Sequence, residues 1–329
     1  MSAGLDLDRD IHEQLFLRTV PGAVDYLFAD VSELPGMSVT SRTRDGLFLT
    51  VHGPLRGLAN VRYYIGAAIV LGTDAIATLR TSARHGVLSA MPDSVHFRVA
   101  AIGDQRWELR DALVAEGLVN STADWDINID ADENGALAEV GKLYWTKRFR
   151  ALQRAPASTT PVIASVMARL AKVEPEHTVL DPFCGAGTLL AVVAEMAPPK
   201  RILGADHDRR WVETTRRNLA DIDTPILLWR GDARAIPLRD SSADRVLINL
   251  PFGKRVGSHI GNRGLYPAVL REVARLLPRQ GRAVMLTEDK RLFTQTVQRT
   301  RGIRIIKQIT FATGGAHPSA YVVTTRRTR

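Results

Sequence analysis

The second half of the chain alternates regularly between strand-like and helix-like segments, and this alternation limits the possible folds more than any other feature. From residue 161 onward, stretches with helical spacing of apolar residues separate short runs rich in Val, Ile and Leu. This order is typical of an α/β protein with a doubly wound parallel sheet and helices on both faces. The loop between the last two strand-like runs, residues 302–311 and 319–325, is too short for a crossover helix. We therefore expect these two strands to pair antiparallel.

Residues 1–150 carry a less regular mixture of strand-like and helix-like segments. A hairpin is predicted around Asp45 and Gly46, because this pair favours a tight turn between two strand-like runs. Residues 57–71 have the apolar content of a helix, and residues 96–145 suggest the order strand, helix, strand, strand. We expect two small α+β units ahead of the larger domain.

Charge is unevenly distributed between the two halves. The net charge of +9 arises from 15 basic and 20 acidic residues over residues 1–150, and from 29 basic and 15 acidic residues over residues 151–329. This contrast predicts a domain boundary near residue 150, with separate domains over 1–150 and 151–329 joined through the basic segment 143–158. A basic second half favours a polyanionic partner, of which nucleic acid is the commonest. High arginine usage throughout a genome would produce the same charge, so charge alone does not identify the partner.

Composition excludes several classes of protein. Cys184 is the single cysteine, which rules out an internal disulfide framework and a cysteine-rich zinc site. The eight histidines show no metal-ligand spacing, so no metal is predicted. No apolar run is long enough to span a bilayer, and the acidic start of the chain does not resemble a secretory signal. We expect a soluble, cytoplasmic protein with no membrane partner, and a monomer by default.

The sequence TVLDPFCGAGTLL, residues 178–190, contains the strongest local motif. A strand is predicted to end at Asp181, a glycine loop follows, and a helix begins near Thr188. Gly185 and Gly187 lack side chains, so the loop backbone can approach a ligand closely, and the start of the helix offers free N–H groups. The loop lacks the lysine of a P-loop and the six-position glycine pattern of dinucleotide binders. An ordinary strand-to-helix turn is the alternative.

Acidic residues at the ends of the next two predicted strands favour an adenosine ligand. Asp206 follows Asp181 by 25 positions, where a carboxylate can accept hydrogen bonds from both ribose hydroxyls. Helix capping is the alternative, but Asp208 is better placed for it. Asp232 could accept from the exocyclic amine of a purine while the Ala233 N–H serves a ring nitrogen, although an aspartate after glycine is often a turn residue. An adenosine with a ribose and without a polyphosphate fits S-adenosylmethionine.

The segment VLINLPFG, residues 246–253, ends a strand-like run on an amide side chain. The exocyclic amine of a base is a poor nucleophile, because its lone pair is delocalised. A site can help by accepting both amine hydrogens, and Asn249 offers a side-chain oxygen while Leu250 offers a carbonyl directed by the rigid Pro251. Phe252 offers a ring on which an unstacked base can lie. A plain turn with Phe252 in the core is the alternative.

These motifs resemble those of a known family. DPFCGAGT together with NLPFG is similar to class I S-adenosylmethionine-dependent methyltransferases that act on amino groups, and NLPFGKRVGSH resembles the THUMP-domain tRNA guanine-N2 methyltransferases. The resemblance extends from about residue 157 to the last residue. It implies a Rossmann-like methyltransferase sheet, preceded by a ferredoxin-like lead-in and a THUMP-like RNA-binding unit. Leu250 departs from the more common proline of the family motif, which keeps the backbone acceptor but changes the fit to the base.

The predicted site combines a cofactor pocket with a turn that holds the amine. The resemblance assigns cofactor binding to Asp181, Gly185, Gly187, Asp206 and Asp232. The full set of predicted cofactor-binding residues is Thr160, Asp181, Pro182, Cys184, Gly185, Ala186, Gly187, Thr188, Asp206, His207, Asp232, Ala233 and Asn249. The predicted catalytic residues are Asn249, Leu250, Pro251 and Phe252. Basic residues that could contact phosphate are Lys147, Arg148, Arg150, Arg154, Lys254 and Arg255.

The resemblance implies an RNA methyltransferase that acts on the N2 amine of guanosine, with tRNA as the first candidate substrate and ribosomal RNA as the second. DNA adenine and protein glutamine are alternatives, because each presents a planar conjugated amine to the same motif. A methyltransferase-like RNA-binding protein without activity is an alternative of another class. The intact Asp181, Gly185, Asp206 and Asn249 argue against it.

Overall fold

The computed structural model describes residues 4–92, 94–100, 106–132, 135–141, 143, 152–155, 158–251 and 259–325. The chain forms two compact units, an N-terminal unit of residues 1–148 and a C-terminal unit of residues 149–329. Among the described helices, none has the length and apolar character required to cross a membrane.

The N-terminal unit is built on one mixed sheet of eight strands. The strands are β1 (Ile11–Arg18), β2 (Met37–Arg42), β3 (Gly46–Gly53), β4 (Gly66–Val70), β5 (His96–Val99), β6 (Val119–Asn120), β7 (Ile127–Asp132) and β8 (Gly135–Val140). The helices are α1 (Val24–Val31), α2 (Ala75–His85) and α3 (Arg106–Ala115), with 3₁₀ turns at Arg56–Asn60 and Val87–Ala90. The strand order in the sheet is β2-β3-β1-β4-β8-β7-β5-β6.

Alternation along β1 explains where the core of this unit lies. Ile11, Leu15 and Leu17 are fully buried and share one face of the strand, because successive side chains point to opposite faces. Glu13 shares that face and is 9% exposed; its carboxylate accepts hydrogen bonds from the Ser82 hydroxyl and from the Val87 N–H. Burial raises the pKa of Glu13, although both hydrogen bonds oppose the shift.

Two expectations for the first half are wrong. Residues 57–71 are not a helix: a 3₁₀ turn at Arg56–Asn60 leads to β4 (Gly66–Val70), which lies inside the sheet between β1 and β8. An interior strand covered on both faces is continuously apolar, so hydrophobic periodicity cannot distinguish it from a buried helix. The two small α+β units share one continuous sheet, because Ile69 of β4 pairs with Ala138 of β8. The predicted hairpin of β2 and β3 is confirmed.

The C-terminal unit is a doubly wound sheet of seven strands. The strands are β9 (Thr178–Asp181), β10 (Arg201–Asp206), β11 (Ile226–Arg230), β12 (Arg245–Asn249), β13 (Arg282–Thr287), β14 (Ile303–Thr310) and β15 (Ser319–Thr325). The helices are α4 (Pro161–Ala171), α5 (Thr188–Met196), α6 (Arg209–Asn218), α7 (His259–Leu276) and α8 (Lys290–Arg299). The strand order is β11-β10-β9-β12-β13-β15-β14. The predicted α/β fold is confirmed, and β15 pairs antiparallel with both β13 and β14.

The sheet order reverses beside β9, and this reversal creates the site. From β9 the chain builds outward through β10 and β11, then returns to place β12 on the other side of β9. In such sheets a crevice forms at the carboxyl ends of the strands at the reversal. Val246, Leu247 and Ile248 of β12 are fully buried, as expected for a parallel strand covered by helices on both faces.

Local sequence signals explain where the helices begin. Pro161 occupies the first turn of α4, where its missing N–H costs nothing. Asp208 caps α6, accepting from the Arg210 N–H at 2.9 Å, which confirms the capping role expected for it. Asp289 caps α8 through the Leu292 N–H.

Candidate active site

The strand ends at the reversal bring the principal predicted residues to one edge of the sheet. Asp181 ends β9, Asp206 ends the neighbouring β10, and Asn249 ends β12 on the opposite side of β9. The registers place Gly204 opposite Asp181 in one ladder and Val246 opposite Leu180 in the other. The carboxyl ends of all three parallel strands therefore border the same crevice.

The glycine loop, residues 182–187, connects β9 to α5 with two glycines in left-handed conformations. Gly185 has φ +51° and Gly187 has φ +81°, values that other residues adopt at a cost. A Cβ atom at Gly187 would lie 2.9 Å from Cγ2 of Thr215, so this glycine also permits close packing against α6. A Cβ at Gly185 would meet only the Phe183 carbonyl, at 3.9 Å, which leaves room beside the loop.

Asp181 holds the start of the glycine loop through a hydrogen bond to its backbone. It is 1% exposed and accepts a hydrogen bond of 2.9 Å from the Phe183 N–H. Burial raises the pKa of Asp181 to about 8; the hydrogen bond from Phe183 opposes this shift, and the charge of Asp206 adds to it. Asp181 therefore orders the backbone of the loop, and its predicted role in cofactor binding stays a prediction.

Asp206 ties the glycine loop to β10. One carboxylate oxygen accepts from the Gly185 N–H and the other from the Asp208 N–H, both at 3.0 Å. The His207 ring lies 3.2 Å from Asp206 Oδ1, while the ring itself is largely exposed. A carboxylate has about four lone-pair sites, so these bonds leave capacity for ribose hydroxyls.

Thr215 and Asn218 of α6 hold the loop from outside, and no specific signal in the sequence pointed to either residue. Thr215 Oγ1 donates to the Gly185 carbonyl at 2.6 Å, and Asn218 Nδ2 donates to the Ala186 carbonyl at 2.7 Å. Asn218 also exchanges two hydrogen bonds with the backbone of Gln153. Only their spacing of three residues, which places them on one helix face, could have suggested a shared contact.

Two buried threonine hydroxyls indicate whether a polar cofactor fits at the carboxyl-end edge of the sheet. Thr160 Oγ1 precedes α4 and Thr188 Oγ1 opens α5, and within the described residues both are buried without a hydrogen-bond partner. Thr188 is only 4% exposed. Buried hydroxyls are normally paired, so these two suit a ligand with polar groups. Together with the open side of Gly185, they fit an adenosyl group.

The remaining predicted cofactor residues differ in their surroundings. Asp232 follows β11 and pairs with Arg234, whose Nη2 lies 2.6 Å away; this contact lowers the pKa of Asp232. Ala233 is buried. Pro182 and Ala186 are buried within the glycine loop.

Cys184 is a packing residue of the glycine loop. It is 5% exposed, and its sulfur lies 3.7 Å from Thr215 Oγ1. Burial raises the pKa of the thiol far above its ordinary value, so the reactive thiolate is disfavoured. Cys184 is therefore poorly suited to act as a nucleophile.

The amine turn, residues 249–251, leaves β12 toward α7. Asn249 is half-buried, and the Leu250 N–H donates to the Leu286 carbonyl of β13 at 2.9 Å. The Pro251 carbonyl accepts from the Tyr266 hydroxyl of α7 at 2.9 Å. The predicted stacking residue Phe252 lies outside the described residues.

The predicted phosphate contacts are largely untested by the structure. Arg154 donates to the Thr159 carbonyl at 3.1 Å. The other five lie outside the described residues: Lys147, Arg148, Arg150, Lys254 and Arg255.

One group of potential metal ligands occurs within the described residues. Glu174, Glu176 and His177 place their ligand atoms within 4.8 Å of one another. They precede β9 and therefore lie at the opposite edge of the sheet from the crevice. Exposed acidic groups of this kind are common, and the cluster has no connection with the glycine loop or the amine turn.

Comparison with known proteins identifies the C-terminal part of the chain. Residues 148–318 match the profile of the UPF0020 family, described as an RMKL-like, methyltransferase domain. The tRNA (guanine(6)-N(2))-methyltransferase THUMP3 of Mus musculus is 32% identical over 184 residues, which cover 51% of this chain and 36% of that protein. The tRNA (guanine(6)-N2)-methyltransferase of Thermus thermophilus is 34% identical over 171 residues, 50% of each chain. The chain thus spans half or less of the length of these relatives.

A solved structure shares the fold of nearly the whole chain. The crystal structure of TrmN from Thermus thermophilus has a TM-score of 0.78 and covers 96% of this chain and 100% of that one, at 24% identity. This likeness establishes the fold. The family profile spans just over half of the residues, and its segment contains both the glycine loop and the amine turn. The chain belongs to the UPF0020 family and carries its RMKL-like methyltransferase domain.

Proposed function

We propose that the protein transfers the methyl group of S-adenosylmethionine to the N2 amine of a guanosine in tRNA. The observation that carries this proposal is the position of the amine turn, at the end of the strand that lies beside β9 and its glycine loop. The names of the relatives support the substrate, because both are called tRNA guanine-N2 methyltransferases.

The cofactor half of the crevice would hold the adenosyl group. When bound, S-adenosylmethionine supplies a methyl group activated by a positively charged sulfur. The hydroxyls of Thr160 and Thr188 and the backbone of the glycine loop would meet its polar groups, and Asp206 would accept from the ribose. Asp232, with the Ala233 N–H, would recognise the adenine edge. These residues bind and orient, and none has to exchange a proton.

The amine half of the crevice would hold the target base. The Asn249 side-chain oxygen and the Leu250 carbonyl accept the two hydrogens of the amine, which turns its lone pair toward the methyl group. Positioning of this kind supplies a large part of the rate enhancement when the methyl donor is already reactive. The methylated amine carries an extra proton and is strongly acidic, so it can release that proton to water after the transfer, and a strong general base is unnecessary at the amine turn.

RNA is the proposed partner, and each of the two units is proposed to contribute to binding it. The C-terminal unit carries the excess of basic residues, which suits a polyanion. The N-terminal unit, with its eight-stranded sheet and three helices, is proposed as the THUMP-like RNA-binding region. We further propose that the protein acts in the cytoplasm as a monomer with domains over residues 1–150 and 151–329; the compact units at 1–148 and 149–329 support this division.

Methylation of defined nucleic acids tests the proposal directly. The full chain is incubated with S-adenosylmethionine carrying a deuterated methyl group and, separately, with transcribed tRNAs, transcribed ribosomal RNA and double-stranded DNA. Mass spectrometry of the nucleosides should find deuterated N2-methylguanosine in tRNA alone. Label in ribosomal RNA or in adenine would show that those nucleic acids are the substrates instead of tRNA. The absence of label from all three nucleic acids would contradict the proposed methyltransferase activity.

A further inference from the structure

A chain of buried hydroxyl groups connects the amine turn to the end of β13. The Tyr266 hydroxyl lies 2.9 Å from the Pro251 carbonyl and 2.8 Å from Thr287 Oγ1, which accepts from the Asp289 N–H at 3.0 Å. Tyr266 and Thr287 are both fully buried. Neither residue belongs to the motifs recognised in the sequence.

The direction of every hydrogen bond in this series of hydroxyl groups follows from the groups at its two ends, the Pro251 carbonyl and the Asp289 N–H. A carbonyl can only accept, so the single proton of Tyr266 is committed to Pro251. The Tyr266 oxygen must then accept from Thr287, whose own oxygen accepts from the Asp289 N–H. Burial raises the pKa of Tyr266, so its hydroxyl stays protonated and remains a donor over the working pH range. Aligned hydrogen bonds polarise one another in a buried environment.

The hydrogen-bonded hydroxyl groups make the two carbonyl groups of the amine turn, those of Leu250 and Pro251, different from each other. Pro251 offers an acceptor that Tyr266 already occupies, whereas no donor within the described part of the chain contacts the Leu250 carbonyl. Leu250 is itself anchored, since its N–H donates to Leu286. A turn fixed at the Leu250 N–H and at the Pro251 carbonyl has little freedom to rotate the peptide unit between them.

We propose that Tyr266, supported by Thr287, is a positioning residue for methyl transfer: it occupies the Pro251 carbonyl and thereby holds the Leu250 carbonyl and the Asn249 side chain toward the substrate amine. Tyr266 acts through the amine turn and does not touch the substrate. This role rests on the proposed function, because it requires an amine at the turn.

A nuclear magnetic resonance experiment tests the contact without any assay of activity. The sequence contains two Pro–Phe pairs, Pro182–Phe183 and Pro251–Phe252, so a chain labelled with carbonyl-¹³C proline and ¹⁵N phenylalanine should give two carbonyl–amide correlations. Tyr266→Phe removes only the hydroxyl. We expect it to shift the Pro251 carbonyl resonance and to leave that of Pro182 in place. An unmoved Pro251 resonance would overturn the proposal.

Kinetics then test the consequence for catalysis. With tRNA, Tyr266→Phe should lower kcat by about 10- to 100-fold, while KM for tRNA and the cofactor Kd change by less than about threefold. Thr287→Val should act in the same direction, Thr287→Ser should restore kcat, and the double variant should be no worse than Tyr266→Phe alone, because both act through one contact. Tyr321→Phe, which removes a hydroxyl from another buried tyrosine of the same core, is the control and should retain kcat.

The outcomes separate this inference from the proposed function. An active wild-type chain whose Tyr266→Phe variant matches Tyr321→Phe in kcat would overturn the role of Tyr266 alone. The same holds if Tyr266→Phe weakens cofactor binding and leaves kcat unchanged. A wild-type chain that methylates none of the nucleic acids would overturn both.

Discussion

The glycine loop and the amine turn border the same crevice, but they are held in different ways. The loop is bonded on three sides: Asp181 holds Phe183, Asp206 holds Gly185, and α6 holds the carbonyls of Gly185 and Ala186. Both partners of each of these bonds belong to the protein itself. The backbone of the cofactor side is therefore preorganised, which reduces the entropy lost on binding.

The amine turn is held at two of its backbone groups. Within the described residues, the Leu250 N–H is bonded to β13 and the Pro251 carbonyl to α7, while Asn249 stands at the end of β12. A hydrogen-bonded loop therefore lies beside a turn that we propose offers acceptors to the substrate amine. The difference implies that substitutions in the loop act on cofactor binding and stability, whereas substitutions in the turn act on the rate of methyl transfer.

The largest expected effect comes from Asn249→Ala. Loss of the side-chain acceptor should lower the single-turnover rate of methyl transfer to tRNA by about a hundredfold or more, in line with the removal of other oriented hydrogen-bonding groups from active sites. Asn249→Asp keeps oxygen acceptors and should retain more activity. Equal rates for the two variants, measured with saturating cofactor, would contradict the acceptor role.

Gly187→Ala tests the packing of the glycine loop against α6. The new Cβ would enter a left-handed conformation and contact Thr215, so we expect the C-terminal unit to lose about 2 kcal/mol in free energy of unfolding and to bind cofactor more weakly. Adding Thr215→Ser removes the clashing methyl but keeps the hydroxyl, and should recover part of the loss. Denaturant titration and calorimetry measure the two effects.

Gly264→Ala is the matched control for that substitution. Gly264 lies in α7, where a Cβ would meet nothing within 4 Å. Alanine there should be neutral or stabilising by about 0.5–1 kcal/mol. Equal destabilisation at positions 187 and 264 would show that the close approach of α6 to the loop is unimportant.

The buried carboxyl group of Asp181 predicts a pH dependence of stability. Its pKa in the folded chain is about 8, above the ordinary value of 3.8, so the folded state holds a proton that the unfolded state has lost between these values. Its contribution to stability is complete below pH 4 and declines as pH rises toward 8, by at most about 1.4 kcal/mol per pH unit. Asp181→Asn should remove this decline, as measured by urea unfolding from pH 5 to 9. Parallel pH profiles for both chains would contradict the shift.

The smallest effect is expected for thiol reagents acting on Cys184. Because the thiol is buried and protonated, it should react at least about a hundredfold more slowly in the folded chain than in the unfolded chain. Spectrophotometric titration with an aromatic disulfide measures both rates. Rapid reaction of the folded chain would show that the glycine loop opens readily. The hydrogen bonds around the loop would then not hold it as firmly as we infer.

Prediction from sequence succeeded where one residue pattern permits one arrangement. The alternation after residue 161 predicted the doubly wound sheet, and the positions of Asp181 and Asn249 at strand ends predicted their common edge. It failed for residues 57–71, since an apolar run fits an interior strand as well as a helix. Thr215, Asn218 and Tyr266 were missed for a different reason: their contacts depend on how helices pack on the sheet, which local spacing does not specify.

The position of β15 between β13 and β14 determines the order in which this part of the sheet can assemble. Among the described strands β14 pairs with β15 alone, and β15 fills the position between β13 and β14. β14 precedes β15 in the chain, so β14 cannot join the sheet until β15 has been made and has paired with β13. Until then the N–H and C=O groups along both edges of β14 have no partner strand, and unpaired strand edges favour aggregation.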